Sequence, residues 1–321
     1  MSSRRAFLLR AVALGGAAGA LWLVRDRLPW PPLEVRFTRG PATPWERLPP
    51  RSGLIEIPVL ANGVRIRAAV DSGAQFSAID EALAKRLGLS RTIAAPLIAY
   101  GVSGGPNLTH TVKLALKLTG LDIPHLRAAA LPLADIAFAT GRDFQLLIGR
   151  DVLSRVVLEA DFPAGRVRFL TPGTFQPPHD AEIVPLKQRS GAPTATVHVE
   201  AAAPVDVLVD TGATAILALS EDAARATGLL APGRRVTRAH SVSLGGLSLD
   251  RMVVARSIRV GGVTVRNAAV QVYAPGASTP APAGLLGSGL LGRFRMALDL
   301  PEQRLVLTPP ALTIVGPRAI D

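Results

Sequence analysis

Val70-Asp71-Ser72-Gly73-Ala74 returns as Val209-Asp210-Thr211-Gly212-Ala213, 139 positions further along a chain of 321 residues. Other landmarks recur around it in the same order. Residues 82–89 resemble 223–230 in character, Gly104-Gly105 corresponds to Gly245-Gly246, and Leu147-Ile148-Gly149 corresponds to Leu285-Leu286-Gly287. Leu153, Asp161, Pro163 and Arg166 map onto Leu291, Asp299, Pro301 and Arg304 at a constant offset of 138. A co-linear series of this kind is an internal duplication, and it makes one structural unit used twice the starting point for the fold.

Each copy reads mainly as short strands. Residues 54–60 and 64–70 are β-rich runs joined by Asn62-Gly63, a two-residue hairpin signal, and residues 194–200 and 205–209 take the same places in the second copy. A short helix is predicted after Asp80 and another after Ser220, each opened by a capping side chain and closed by a glycine, Gly88 or Gly228. Strand patterns resume at 112–118 and 253–260, and paired glycines point to hairpins rather than βαβ crossovers. The expected architecture is all-β, with homologous lobes at 53–170 and 190–310, an inter-lobe linker at 171–189 and a tail at 311–321.

Composition narrows the function. Hydrophobic residues make up 48% and charged residues 19%, which excludes disorder over most of the length. The net charge of +12 is split evenly: residues 1–52 carry nine Arg against Asp26, Glu34 and Glu46, and the rest of the chain supplies the other half. Scattered arginines with only 4% aromatics are a poor nucleic-acid footprint, so no nucleic-acid partner is expected. The chain has no cysteine and five scattered histidines, so neither a metal nor another cofactor is expected.

At the amino terminus, Arg4-Arg5-Ala6-Phe7-Leu8-Leu9 precedes an uncharged run from Ala11 to Val24. The order resembles a twin-arginine export signal. Residues 1–24 are therefore expected to export the protein to the periplasm of a bacterium, or to anchor it to the outer face of the inner membrane. Residues 25–52, Pro-rich and basic, read as a linker.

The repeated motif carries its own chemistry. A strand that ends in Asp and turns at Gly delivers a carboxylate to a fixed, partly buried point, and an approximate two-fold axis can bring Asp71 and Asp210 together. Two carboxylates in contact cannot both ionise. One holds a proton, so an acid and a base stand in one site at one pH. Gly73 and Gly212 are expected to allow a tight turn and close approach. Ser72 and Thr211 are expected to lock the loops across the interface rather than act as nucleophiles, since the sequence places no histidine to activate them.

On these residues the chain resembles the pepsin/retropepsin clan of aspartic proteases, in its bacterial retropepsin-like group, over about residues 53–308. Leu147-Ile148-Gly149-Arg150-Asp151-Val152-Leu153 is similar to the segment that braces the catalytic loop in retroviral proteases. The resemblance implies a catalytic pair Asp71 and Asp210, a water activated between them, and an extended peptide or protein as substrate. It also implies flaps at 100–106 and 240–247, with Tyr100, Gly101 and His240 near the substrate. Because one chain carries both loops, activity as a monomer is expected. Ala74 and Ala213 resemble the retroviral form, which implies a mildly acidic to neutral optimum. The chain departs from the pattern at Gln75 and at Gly287-Ser288-Gly289, which replaces Gly149-Arg150-Asp151. Two alternatives stay open: an exported protein that captures peptides without cutting them, and a protease that processes a single partner.

Other signals read blandly. Gly287-Ser288-Gly289-Leu290-Leu291-Gly292 fits a dinucleotide fingerprint in letters but lacks the βαβ context. His198 and Glu200 have no third metal ligand. Asp161 and Asp299 read as turn caps, and Asp206 as a solvated strand residue.

Overall fold

The computed structural model describes residues 33–49, 53–90, 97–99, 107–134, 137, 141–189, 191–243, 246–274 and 282–310. Residues 1–24, expected to act as an export signal or anchor, Tyr100, Gly101 and the 311–321 tail lie outside them. Among the described residues, no helix is long and apolar enough to cross a membrane.

Each lobe is built on one sheet. The seven-stranded first-lobe sheet runs Arg36–Phe37, Leu121–Leu131, Ala78–Asp80, Leu146–Ile148, Val64–Val70, Ile55–Ala61 and Thr111–Leu118. The eight-stranded second-lobe sheet runs Lys187–Arg189, Ala192–Val199, Val205–Asp210, Gly284–Gly287, Leu217–Ser220, Val263–Tyr273, Gly246–Val260 and Val236–Ser243. Asn62 and Gly63, at φ of 47° and 83°, turn the first hairpin. The helices Glu81–Arg86 and Glu221–Ala226 open on Asp80 and Ser220, whose side chains accept from the N–H of Leu83 and Ala223. Gly88 and Gly228 follow them at φ of 63° and 73°, a conformation that costs other residues free energy.

Hairpins dominate, but each lobe also contains parallel pairs that period-2 patterning does not reveal. Leu146–Ile148 lies parallel to Val64–Val70, and Gly284–Gly287 lies parallel to Val205–Asp210. These strands arrive late in each repeat and lie against the strand that leads into the motif aspartate.

A third, six-stranded sheet belongs to both lobes: Glu182–Pro185, Arg304–Thr308, Arg295–Asp299, Val157–Asp161, Arg166–Leu170 and Glu46–Arg47. Its centre is the antiparallel pair Val157–Asp161 with Arg295–Asp299. At the turns of the two central hairpins Asp161 and Asp299 accept from the N–H of Ala164 and Glu302, at 3.1 and 3.3 Å, and bond Arg166 and Arg304. Leu158 and Met296 carry the main core from one lobe to the other.

This sheet corrects both linker readings. Residues 33–49 supply strands to the first-lobe sheet and the shared sheet, and 171–189 contain Glu182–Pro185 and Lys187–Arg189. Glu46–Arg47 and Glu182–Pro185 take the two outer edges, so each repeat begins earlier than its letters suggest. Trp45 explains how so short a strand is held. Its ring lies 4.5 Å from the Arg166 guanidinium and 4.4 Å from that of Arg168. Beneath it Glu159, 1% exposed, accepts from Arg168 at 2.7 Å and Arg295 at 2.8 Å. Asp206 is also corrected. Lys187 and Arg189 bond it at 2.9 and 2.6 Å and Thr196 at 2.7 Å, leaving its side chain 12% exposed.

Candidate active site

The two motif loops meet where the lobes join. Strand alternation puts Asp71 on the same face as Ala69 and Asp210 on the same face as Leu208, while Val70 and Val209 turn into the main core. On the carboxylates' side lie two small apolar clusters. One includes Ala69, Ala78, Leu131 and Leu147, and the other Leu208, Ala218, Tyr273 and Leu285.

The threonine and serine after the aspartates interlock. Ser72 Oγ donates to Val209 O at 2.8 Å and accepts from Thr211 N at 3.0 Å. Thr211 Oγ1 donates to Val70 O at 2.8 Å and accepts from Ser72 N at 3.0 Å. Both side chains are essentially fully buried, and each makes the same pair of bonds to the other's loop. Four such bonds away from water fix the separation of the two aspartates.

The glycines have a role that conformation does not explain. Neither Gly73 nor Gly212 has a positive φ, so the turn itself does not demand glycine. Space does. A methyl group on Gly73 would stand 2.6 Å from Asp210 Cγ, and one on Gly212 would stand 2.5 Å from Asp71 Cγ. Each carboxylate therefore sits on the bare backbone of the opposite loop.

Within its own loop, each carboxylate is held alike. Asp71 Oδ1 accepts from Gly73 N at 2.8 Å and Ala74 N at 3.1 Å, and Asp210 Oδ1 accepts from Gly212 N and Ala213 N at the same distances. Burial pushes the Asp210 carboxyl well above the usual carboxylate range, and the charge of Asp71 and the hydrogen bond between the two push it further. The site thus holds two carboxylates in close contact, one of them pushed toward its protonated form.

Behind the first loop lies the segment expected to brace it, with contacts that the sequence did not specify. Arg150 Nη1 donates to Ser72 O and Gly73 O, both at 2.8 Å. Asp151 Oδ1 accepts from Ser77 N at 3.0 Å and Ser77 Oγ at 2.8 Å, and burial pushes its carboxyl up to about 6. The departure at Ser288 and Gly289 is the signal that marked this region, but letters alone do not show what a guanidinium there touches. Tyr273 is buried with its hydroxyl donating to Pro282 O, and burial and then the charge of Asp210 push it above its ordinary value.

Of the flap residues, His240 is described. It is exposed on Val236–Ser243, opposite Leu249. Strands Leu97–Ala99 and Asn107–Thr109 pair antiparallel on either side of the stretch that holds Tyr100 and Gly101. Among the described residues no three His, Asp or Glu side chains gather as metal ligands would.

Two β-lobes joined by a shared sheet, with two carboxylates on interlocked loops at their junction, define a protein of the aspartic protease class. The aspartyl protease family matches the chain at residues 57–152 and again at 195–293, together more than half its length, and the chain belongs to that family. No curated protein matches it.

Proposed function

We propose that the protein is an aspartic endopeptidase that hydrolyses peptide bonds with a water activated between Asp71 and Asp210. The observation that carries this reading is the reciprocal seating of each carboxylate on the other loop's glycine, with Asp210 driven toward its protonated form. A buried, unpaired carboxylate is costly, and two of them held together by interlocked loops make an acid and a base available at once. The apolar clusters on the same faces keep the carboxylates in a poorly hydrated setting. Export through residues 1–24 is part of the proposal and rests on the twin-arginine-like pattern alone.

The test is mass-spectrometric cleavage profiling on a diverse peptide mixture from about pH 3 to about pH 8, beside an Asp210→Asn variant. Cuts that disappear in the variant, with a loss of about 10⁴-fold or more, support the reading. Peptide binding without cuts at any pH would replace it with capture of peptides.

A further inference from the structure

The two aspartate loops have the same hydrogen bonds, atom for atom, until the contact behind them. The N–H groups of Gly73 and Ala74 that bond Asp71 belong to the peptide units whose carbonyls are Ser72 O and Gly73 O. Arg150 Nη1 donates to those same two carbonyls. Two parallel chains therefore run from guanidinium through a peptide group to the Asp71 carboxylate. A cationic donor on a carbonyl oxygen polarises the peptide and strengthens the bond its N–H makes, and it does so most in a site shielded from water.

The second lobe keeps the scaffold and omits the charge. Ser288 N donates to Ala213 O at 2.7 Å, as Arg150 N donates to Ala74 O at 2.9 Å. Where Arg150 carries a guanidinium, however, Ser288 carries a buried hydroxyl that makes no hydrogen bond, and Gly289 stands where the first lobe has Asp151. Among the described residues, Asp71 is thus backed by a cation and Asp210 is not.

We infer that Arg150 is a positioning residue that breaks the equivalence of the pair, so that the single negative charge rests on Asp71 and the shared proton on Asp210. The inference rests on the dyad reading above and gives each carboxylate a distinct role. Asp71 takes a proton from the attacking water as the new C–O bond forms. The carbonyl oxygen, receiving the π electrons, takes the proton of Asp210. Collapse of the neutral diol returns one hydroxyl proton to Asp210 and passes the proton on Asp71 to the departing nitrogen as the C–N bond breaks. The dyad ends as it began. The upward push on Asp210 from burial and from the charge of Asp71 agrees with this division. Among the described residues, the other ionisable groups near the pair are Asp151, turned to Ser77 and pushed up to about 6 by burial, and Tyr273, beside Asp210.

The experiment is a titration of the full chain labelled with ¹³C at aspartate carboxyl carbons, with the two resonances assigned from Asp71→Asn and Asp210→Asn. Where the pair holds one proton, the Asp71 carbon is expected at its ionised shift and the Asp210 carbon at its protonated shift. In Arg150→Gln the two shifts are expected to converge, and Arg150→Lys restores part of the split. If the protein cleaves peptides, the acid limb of kcat/KM moves up by about one pH unit in Arg150→Gln, roughly a tenfold loss on the acid side. A residue that only supports the loop would lower kcat without moving that limb. An Asp151→Asn control separates the titration of that neighbour. Equal intermediate shifts in the parent overturn the inference, and so does an unchanged split in a folded Arg150→Gln. Should that variant not fold, the parent spectrum alone decides. A split spectrum in a chain that cuts nothing overturns the peptidase reading and leaves this one standing, whereas cutting without a split overturns this one alone.

Discussion

At the grip, the two lobes are interchangeable; behind it they are not. Ser72 and Thr211 trade identical bonds, and Gly73 and Gly212 accept each other's carboxylates at nearly the same distance. One strand further back, the first lobe has Arg150 and Asp151 where the second has Ser288 and Gly289. The difference teaches that geometry and electrostatics are under separate control here. Position is set by parts that must match, whereas the field is set by parts that are free to differ.

The largest expected effects test the matching parts. Gly73→Ala and Gly212→Ala each drive a methyl into the opposite carboxylate, closer than any real contact of that type, so each should cost about 10³-fold or more in cleavage rate while the chain stays folded. Unequal losses, measured as kcat/KM beside circular dichroism, would break the claim of equivalence. Next comes the grip itself. Ser72→Ala and Thr211→Val each strand buried partners in the facing loop, and chemical denaturation should show about 2–4 kcal/mol lost by either.

Smaller effects probe the parts that differ. Burial holds the Asp151 carboxyl near 6, above its value in an unfolded chain. The folded state then binds the extra proton, so the group's contribution is fully present below about pH 4 and is lost as pH rises through about 6. Asp151→Asn keeps an oxygen for Ser77 and removes the ionisation, so it should stabilise the protein by about 1–2 kcal/mol at pH 7.5 and change little at pH 4, read by thermal melts at both. The second lobe has no group there to respond in this way.

The smallest effect lies at the first hairpin turn of each lobe. Asn62 and Glu200 share a left-handed backbone, at φ of 47° and 53°, and both accept a backbone N–H across the sheet, from Ala115 and Arg256. Partial burial would raise the Glu200 carboxyl, but hydrogen bonds from Arg256 and Arg234 hold it down at about 2. Its contribution is present above the unfolded value and lost as pH falls towards 2. Glu200→Asn, copying the first lobe, removes that contribution, so after allowance for solvent screening it should cost about 1 kcal/mol at pH 7 and flatten the acid-induced loss between about pH 4 and pH 2.

Much of this was legible before any coordinates, for reasons that can be named. The paired motif fixes a two-fold arrangement because each copy buries what only the other can cover, and Asp80, Gly88, Ser220 and Gly228 announce their helix ends through local chemistry. Residues 33–49 and 171–189 mislead because Pro-rich composition hides strands of two and four residues whose partners lie more than 100 residues away. Asp206 is obscured for the same cause: its cations come from a strand within the stretch whose composition reads as linker. The contacts of Arg150 follow from the fold of a neighbouring loop, and no spacing rule predicts which carbonyls a long side chain will reach.

The sheet that both halves build also bears on how the protein behaves as a population. A symmetrical pair assembled from separate subunits is lost on dilution, and one damaged subunit spoils the partner it meets. Here Val157–Asp161 finds Arg295–Asp299 along its own chain, at an effective concentration set by the connection rather than by abundance. Specific activity is therefore expected to stay flat from micromolar to nanomolar protein, and a defective allele should be silent beside an intact one instead of dominant over it.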